Sequence, residues 1–392
     1  MRLASSQYLC SVKKIYSDSF RLGVLGGGQL GRMLLQEAIN YDVRVCVLDP
    51  AADAPCATIC HEFVTGSFQD YDTVLNFGKD KDVITIEIEH VNVAALEELE
   101  KMGKSVYPKP SFLRMVQDKG NQKEFYSQHE IPTAPFFLID NASSLDESTV
   151  RFPFVLKSRT GGYDGKGVQI IRNAEELKST FSGPCVVEEM IDFSKELAVI
   201  VARNQQGEIK VFPLVEMEFN PTANLVEFLF SPAQVSTEVE KEAQSIAVRI
   251  AETSEFVGLL AVELFLTRDG KILVNEIAPR PHNSGHHTIE ACTTSQYEQH
   301  LRAILSLPLG ETRLIEPVVM INLLGEPGFE GPAFYSGLEE ALQMPGVHVH
   351  LYGKTSTKPF RKMGHITVTD ASLPQAQERA RTVMQLVKVQ SC

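Results

Sequence analysis

Between Phe154 and Gln169 the chain reads Phe-Val-Leu-Lys-Ser-Arg-Thr-Gly-Gly-Tyr-Asp-Gly-Lys-Gly-Val-Gln. A short apolar run ends on Lys157, after which Gly161, Gly162, Gly165 and Gly167 alternate with Thr160, Tyr163, Asp164 and Lys166. Glycines let backbone N–H groups approach a polyphosphate and adopt positive φ, while Lys157 and Lys166 supply the opposite charge. The pattern reads as a phosphate grip, with a glycine-rich surface hairpin as the plain alternative. Asp164 stands out in it. Beside a triphosphate its charge is unfavourable by about 1 kcal/mol even at water-like screening and ~4 Å. It is therefore expected to face a second substrate and accept a proton there, unless it only bonds its own turn.

A second constellation lies in Leu260 to Ile277, where two apolar runs flank Arg268-Asp269-Gly270-Lys271. With Asp269 and Gly270 as a two-residue hairpin turn, counting outward places Glu263 opposite Glu276. Like charges facing across a ladder are destabilising, so the pair invites a cation. Two carboxylates with phosphate oxygens and water are what Mg²⁺ prefers. A register slip would instead expose both to water. The loop that follows holds Arg280, His282, Asn283 and Ser284. Arginine can fork onto an oxyanion, and the neutral donors suit an uncharged base or sugar. Lys354, Lys358, Arg361 and Lys362 gather before Gly364, a basic knot suited to a second phosphate.

The elements that must position these groups begin at Arg21. A strand leads into Gly26-Gly27-Gly28-Gln29-Leu30-Gly31, a helix follows with Leu30, Met33, Leu34 and Ala38 at helical spacing, and a second strand over Val43 to Leu48 ends at Asp49. This is the layout of a dinucleotide-binding unit. A glycine turn opening a helix nevertheless indicates an anion, phosphate or carboxylate, more securely than it indicates NAD. From Val83 to Glu89 isoleucines alternate with Thr85, Glu87 and Glu89, so the two glutamates either meet a ligand at the carboxyl end of a strand or lie on a solvated face. Asp118-Lys119 and Gln122-Lys123 open a helix that ends before Pro132 and Pro135, a domain boundary. A strand at Cys185 to Val187 runs into Glu188, Glu189, Met190 and Ile191, with Glu196 beyond; such a segment can offer backbone groups to adenine and a carboxylate to ribose. Strands around Val318 to Leu323, Val347 to Leu351 and His365 to Thr369 make a third unit.

At 392 residues the chain has room for roughly two to three domains. A net charge of −13 argues against a general nucleic-acid binder and against attraction to anionic membrane. No apolar run approaches the ~20 residues of a membrane span. Seven scattered cysteines fit reduced thiols in a cytoplasmic enzyme, and Cys56, Cys60 and His61 lack the second cysteine pair of a zinc site. Residues 1–20 lack the features of a transit or secretory segment and read as an extension.

Taken in order, Gly26 to Met33, Glu87 to Val91, Arg159 to Gly167, Asn275 to Arg280, His282 to His286 and Arg361 to His365 resemble the N5-carboxyaminoimidazole ribonucleotide synthases, a family of ATP-grasp ligases. The resemblance implies a fold of mixed α/β and α+β class, an ATP-grasp fold with an N-terminal Rossmann-like pre-grasp domain over 21–117, an ATP-grasp domain over 118–310 whose lid covers about 136–204, and a small C-terminal domain over 311–392. It places ATP against Lys119, Lys157, Gly162, Tyr163, Asp164, Gly165, Lys166, Gly167, Val168, Glu188, Glu189, Met190, Ile191, Glu196, Asn275 and Glu276, and less closely Glu216. Magnesium, as two ions, falls to Glu263 and Glu276. The aminoimidazole ribonucleotide (AIR) falls to Gln29, Leu30, Glu87, Tyr163, Asp164, Arg280, His282, Asn283, Lys354, Arg361 and Lys362, and Asp164, Lys166 and Arg280 become the catalytic set. A homodimer using ATP, bicarbonate and AIR is implied. Phe360 departs from the family, which commonly has glycine there. The competing functions are a formate-using glycinamide ribonucleotide transformylase, an NAD-dependent oxidoreductase, which has no use for the facing glutamates, and a nucleotide-binding regulator without turnover.

Overall fold

The computed structural model describes residues 15–391 other than 143–144, 146, 163–166, 179 and 220–225. Tyr163, Asp164, Gly165 and Lys166 lie outside the described residues, as do residues 1–14. Ile15 and Phe20 are buried in the first core, so the packed chain starts before Arg21, earlier than expected.

Five parallel strands, β1 (Leu22–Leu25), β2 (Val45–Asp49), β3 (Glu62–Thr65), β4 (Val83–Ile86) and β5 (Ser105–Val106), form a sheet in the order β3-β2-β1-β4-β5. Every residue of β1, β2 and β4 is buried. The alternation in β4 therefore does not mark a solvated face: Thr85 is fully buried, and its Oγ1 shares a hydrogen bond with His300 Nε2 at 3.0 Å. Strand order reverses between β1 and β4, so the glycine turn after one and Glu87 after the other open into a single crevice.

A small antiparallel sheet follows, of β6 (Phe136–Ile139), β7 (Phe154–Ser158), β8 (Val168–Ile171) and β9 (Cys185–Glu189) in the order β6-β9-β7-β8. The largest sheet takes β10 (Phe193–Arg203), β11 (Ile209–Val211), β12 (Val215–Phe219), β13 (Val226–Ser231), β14 (Gly258–Thr267), β15 (Ile272–Ala278) and β16 (Val318–Leu324). Helix Thr237–Thr253, capped by Ser236, lays Ala243, Ile246, Ala247 and Ile250 on one face of it, against Leu197, Val199, Val262 and Leu264. Helix Gln296–Ile304 packs on the other face and ties the first domain down: Ser295 Oγ donates to Glu37 Oε1 at 2.8 Å and the Tyr41 hydroxyl donates to Glu298 at 2.6 Å.

The sheet does not end where a third unit was expected. β16 pairs with β13, and the order continues β15-β14-β10-β12-β13-β16-β20-β18, with β11 attached to β10. Here β18 is Val347–Leu351 and β20 is Lys362–Thr369, while β17 (Gly331–Ser336), β19 (Ser356–Thr357) and β21 (Lys388–Ser391) form a separate three-stranded sheet. Helix Leu373–Leu386 covers β16 and β20 with Ala376, Ala380 and Val383. Among the described residues no helix is long and apolar enough to cross a membrane.

Candidate active site

The β14–β15 hairpin does bring Glu263 opposite Glu276, by a different route from the expected one. Thr267 N donates to Lys271 O at 2.9 Å, so the turn is the three-residue loop Arg268-Asp269-Gly270, with Gly270 at φ 87°. That shifts the register by one residue. A bulge at Asn275, between the pairs Glu263/Glu276 and Leu264/Val274, shifts it back. Glu196 lies on the same face, one pair along on β10, where Ala198 faces Glu263. Burial, then the facing Glu276 and the nearby Glu196, push the Glu263 carboxyl up. Burial alone lifts Glu196 to about 7. Glu276 goes the other way, held well below the usual range by Lys119, whose Nζ is 2.6 Å from its Oε2. His282 Nε2 stands 3.5 Å from Glu263. A pair of facing carboxylates with one lysine on one side is an oxygen donor set fitted to a hard divalent cation. Among the described residues no third His, Cys, Asp or Glu completes a metal cage, so further oxygens must come from substrate or water.

The lysines converge from two elements. Asp118 caps helix Lys119–Gln128 through Gly120 N at 2.8 Å and is gripped by Arg159, Nε to Oδ1 and Nη2 to Oδ2 both at 2.8 Å, which fastens β7's end to the helix. Lys157 Nζ lies 2.9 Å from Glu188 and donates to Asn275 Oδ1 at 3.0 Å. Lys123 approaches Glu188 from the opposite side at 3.1 Å. Burial pushes the Glu188 carboxyl up, but Lys157 and Lys123 outweigh it and hold it below its usual value. Lys123, a residue given no role from sequence, is driven down to about 8 by burial. Its spacing of four from Lys119 was the available signal. Ser158 N donates to Gly167 O at 2.8 Å, Val168 pairs with Lys157, and Gly161 and Gly167 have φ of 79° and 73°. Gly162 completes the near edge, and a Cβ at Gly161 would meet nothing within 4 Å. Glu189 N donates to Pro135 O at 2.9 Å, and Met190 with Ile191 continues the strand end into the open. Glu216 is not part of this group. It pairs with Leu197, on the helix-covered face, and bonds Lys195 at 2.5 Å and Gln234 N at 3.0 Å, because the one-residue alternation of β12 turns it away.

The pre-grasp crevice corrects the first glycine turn. Gly27 N donates to Asp49 Oδ2 at 2.7 Å and Gly31 N to Glu87 Oε2 at 2.9 Å, and a Cβ on Gly28 would lie 2.7 Å from Glu87 Oε1. The anions at this helix start are the protein's own carboxylates, Asp49 and Glu87, so the phosphate expected there, whether of NAD or of a ribonucleotide, would have to displace them. Glu87 is lifted by burial even so. Gln29 and Leu30 sit half-buried on the rim. Arg280 Nη2 is 2.7 Å from Glu89 Oε1, joining the two sheets across the crevice. Asn283 Nδ2 is buried with no partner among the described residues, which leaves its amide N–H donors available to a ligand. Behind it His286, His365 and His350 stack at centroid distances of 4.6 and 4.4 Å, with the Tyr297 and Tyr352 hydroxyls 3.0 Å from Nδ1 of His286 and His365; no spacing pattern announced this column.

The basic knot divides. Lys354 Nζ donates to Lys362 O at 2.6 Å, and the Lys362 charge is felt at Glu263 and His286. Arg361 and Lys358 line a different cleft with Ser356 and Glu330, and Arg361 Nη1 donates to Ser356 O at 2.7 Å. Phe360 adopts φ 63°, the left-handed conformation glycine would take, and its N–H donates to Gly325 O at 2.8 Å, so the turn survives the substitution.

Residues 20–117 match the ribonucleotide synthetase pre-ATP-grasp domain, 124–297 the ATP-grasp domain and 318–379 the phosphoribosylaminoimidazole carboxylase C-terminal domain. The N5-carboxyaminoimidazole ribonucleotide synthase of Bacillus subtilis is 37% identical over 365 residues, covering 91% of this chain and 93% of its own length. The chain belongs to the N5-carboxyaminoimidazole ribonucleotide synthase family. It is thus an ATP-grasp ligase by fold, with a pre-grasp domain before and a C-terminal domain after. A crystal structure of the Aspergillus clavatus synthase with ADP and 5-aminoimidazole ribonucleotide superposes with a TM-score of 0.84 at 34% identity, covering 94% of this chain and 98% of that one. The chloroplastic phosphoribosylaminoimidazole carboxylase of Vigna aconitifolia is 40% identical over 375 residues, 93% of this chain but only 66% of the plant protein, so the synthase family portion makes up about two thirds of that longer relative.

Proposed function

We propose that the chain carboxylates AIR to N5-carboxyaminoimidazole ribonucleotide in purine biosynthesis, by the reaction ATP + HCO₃⁻ + AIR → ADP + phosphate + product. The observation that carries this is the junction of two half-sites: the facing Glu263 and Glu276 with Lys119 and Lys157 on one side, and the Arg280, His282, Asn283 loop on the other, joined by His282 at 3.5 Å from Glu263. ATP lies between the small sheet and the large one, its adenine along Glu189 to Ile191. Bicarbonate attacks the γ-phosphorus, forming carboxyphosphate and releasing ADP; Lys119, Lys157 and Lys166 neutralise the developing charge, so catalysis here is positioning and electrostatics. Mg²⁺ bound by Glu263 and Glu276 would add Lewis-acid neutralisation of the phosphate oxygens. The AIR amine then attacks the carboxyl carbon and phosphate leaves, with Asp164 accepting the amine proton and Arg280 steadying the carboxylate. Asn283 Nδ2 gives AIR a buried donor. Closure of the lid, about 136–204, over the grip excludes water from the labile intermediate.

The domain limits of 21–117, 118–310 and 311–392, a homodimer and a cytoplasmic location are expectations carried over with the same reading. Phosphate release from Mg·ATP is expected only with both AIR and bicarbonate present. Release that needs formate in place of bicarbonate would transfer the chain to transformylase chemistry, and nucleotide binding without release would make it a regulator.

A further inference from the structure

Two lysines of the nucleotide cleft are already spoken for. Lys119 holds Glu276 at 2.6 Å, and Lys157 holds Glu188 at 2.9 Å. A lysine drawn toward a triphosphate loosens its hold on its carboxylate, and a carboxylate left without a counter-ion in the interior is strongly unfavourable. The two released carboxylates face different prospects. Glu276 is 44% exposed and belongs to the pair fitted to a divalent cation, so solvent and metal both remain to it. Glu188 is 5% exposed, and no carboxylate faces it to make a cation site.

What Glu188 has instead is Lys123. That side chain is 4% exposed, lies 3.1 Å from Glu188 and donates to Thr133 Oγ1 at 2.5 Å. Thr133 in turn donates to Val274 O at 2.7 Å, and Val274 N donates to Pro132 O at 2.7 Å. Lys123 is therefore anchored to the β14–β15 hairpin of the large sheet, whereas Lys157 is carried on β7 of the small one. With both lysines on Glu188, the carboxylate keeps a counter-ion when either one is drawn to another anion.

We infer that Lys123 is a positioning residue, a resident counter-ion that keeps Glu188 paired when Lys157 moves from Glu188 to the nucleotide phosphates. The inference rests on the ATP site proposed above and adds a residue that never touches the nucleotide. Without Lys123, Lys157 is the sole cation left on Glu188 and is trapped there.

The test uses the full chain, isothermal titration with Mg·ADP and thermal melting of the nucleotide-free protein. Lys123→Met should weaken Mg·ADP binding by at least about tenfold, since the pairing lost on release is that of a buried charge. Its nucleotide-free melting should stay close to that of the unaltered protein, because the remaining Lys157–Glu188 pair is neutral. Lys123→Met combined with Glu188→Gln should recover most of the lost affinity, because a neutral amide in place of the carboxylate no longer detains Lys157; a simple packing role for Lys123 would not be rescued in this way. Unchanged binding by Lys123→Met, or a double variant as weak as the single, overturns the inference. Should Lys123→Met not fold, Glu188→Gln alone decides: tighter Mg·ADP binding is expected, and weaker binding overturns. Failure of the unaltered protein to bind Mg·ADP would instead remove the proposed function itself, and is seen without any variant.

Discussion

Two carboxylate sites in this molecule contrast. In the pre-grasp crevice Glu87 and Asp49 are met by backbone N–H groups of the glycine turn, Gly31 at 2.9 Å and Gly27 at 2.7 Å. On the large sheet Glu263 and Glu276 are met by each other, with a lysine on only one of them. The first arrangement is complete and holds two strand ends and a helix together. The second is incomplete, and its incompleteness is what gives it a use. Acidic residues near glycines or hairpins look alike in a sequence; what separates structure from site is whether the donors that satisfy the charge come from the chain itself.

The contrast can be broken at either end. The largest effect is expected from Glu276→Gln, which should lower carboxylation at least about a hundredfold and also lower metal-free stability, since Lys119, 2.6 Å from Glu276 Oε2, loses its carboxylate and relief of the facing Glu263 offsets this only in part. Turnover near the original rate would sink the claim that the pair is a cation site. Next comes Gly28→Ala, whose Cβ would press to 2.7 Å on Glu87 Oε1. Urea unfolding should show a loss of about 1–3 kcal/mol, as for other overpacked interiors, and an unchanged midpoint would mean that Glu87 does not fill the turn. The smallest effect concerns Glu196, which burial lifts from 4.5 to about 7. Its folded form keeps a proton that the unfolded chain releases, so its contribution is present at low pH and fades as pH rises through about 7. Partial exposure screens the effect. Melting of nucleotide-free protein in chelator should decline across that window, and Glu196→Gln should flatten the decline; an identical slope in the variant would show that Glu196 titrates normally.

Much of this was legible because it follows from spacing. The strand–glycine turn–helix unit and the lysine at the end of β7 are fixed by local pattern. Elsewhere local pattern was insufficient. The hairpin count assumed a two-residue turn, and a longer loop would have put the glutamates on opposite faces had Asn275 not bulged; nothing in the residue types announces that the two shifts cancel. The glycine turn announces an anion, yet its partner Glu87 lies 56 residues from Gly31, a distance only the parallel sheet closes. A solvated face stayed open as an alternative for this strand because the cover of Thr85, His300, comes from another domain. Phe360 shows the reverse, a residue type that disfavours a conformation its neighbours nonetheless impose.

The continuous sheet has a consequence for how the chain can be divided. Sequence families split it after the ATP-grasp region, but β13 and β16 share a ladder across that split, from Phe228/Ile321 to Ser231/Val318. Inheritance and folding thus draw their borders in different places. A fragment ending before Val318 would carry a bare strand edge with Phe228 and Phe230 stripped of Val319 and Ile321, a ready template for pairing with its own copies. The C-terminal segment is in this sense a permanent edge guard, and the chain should be expressed whole.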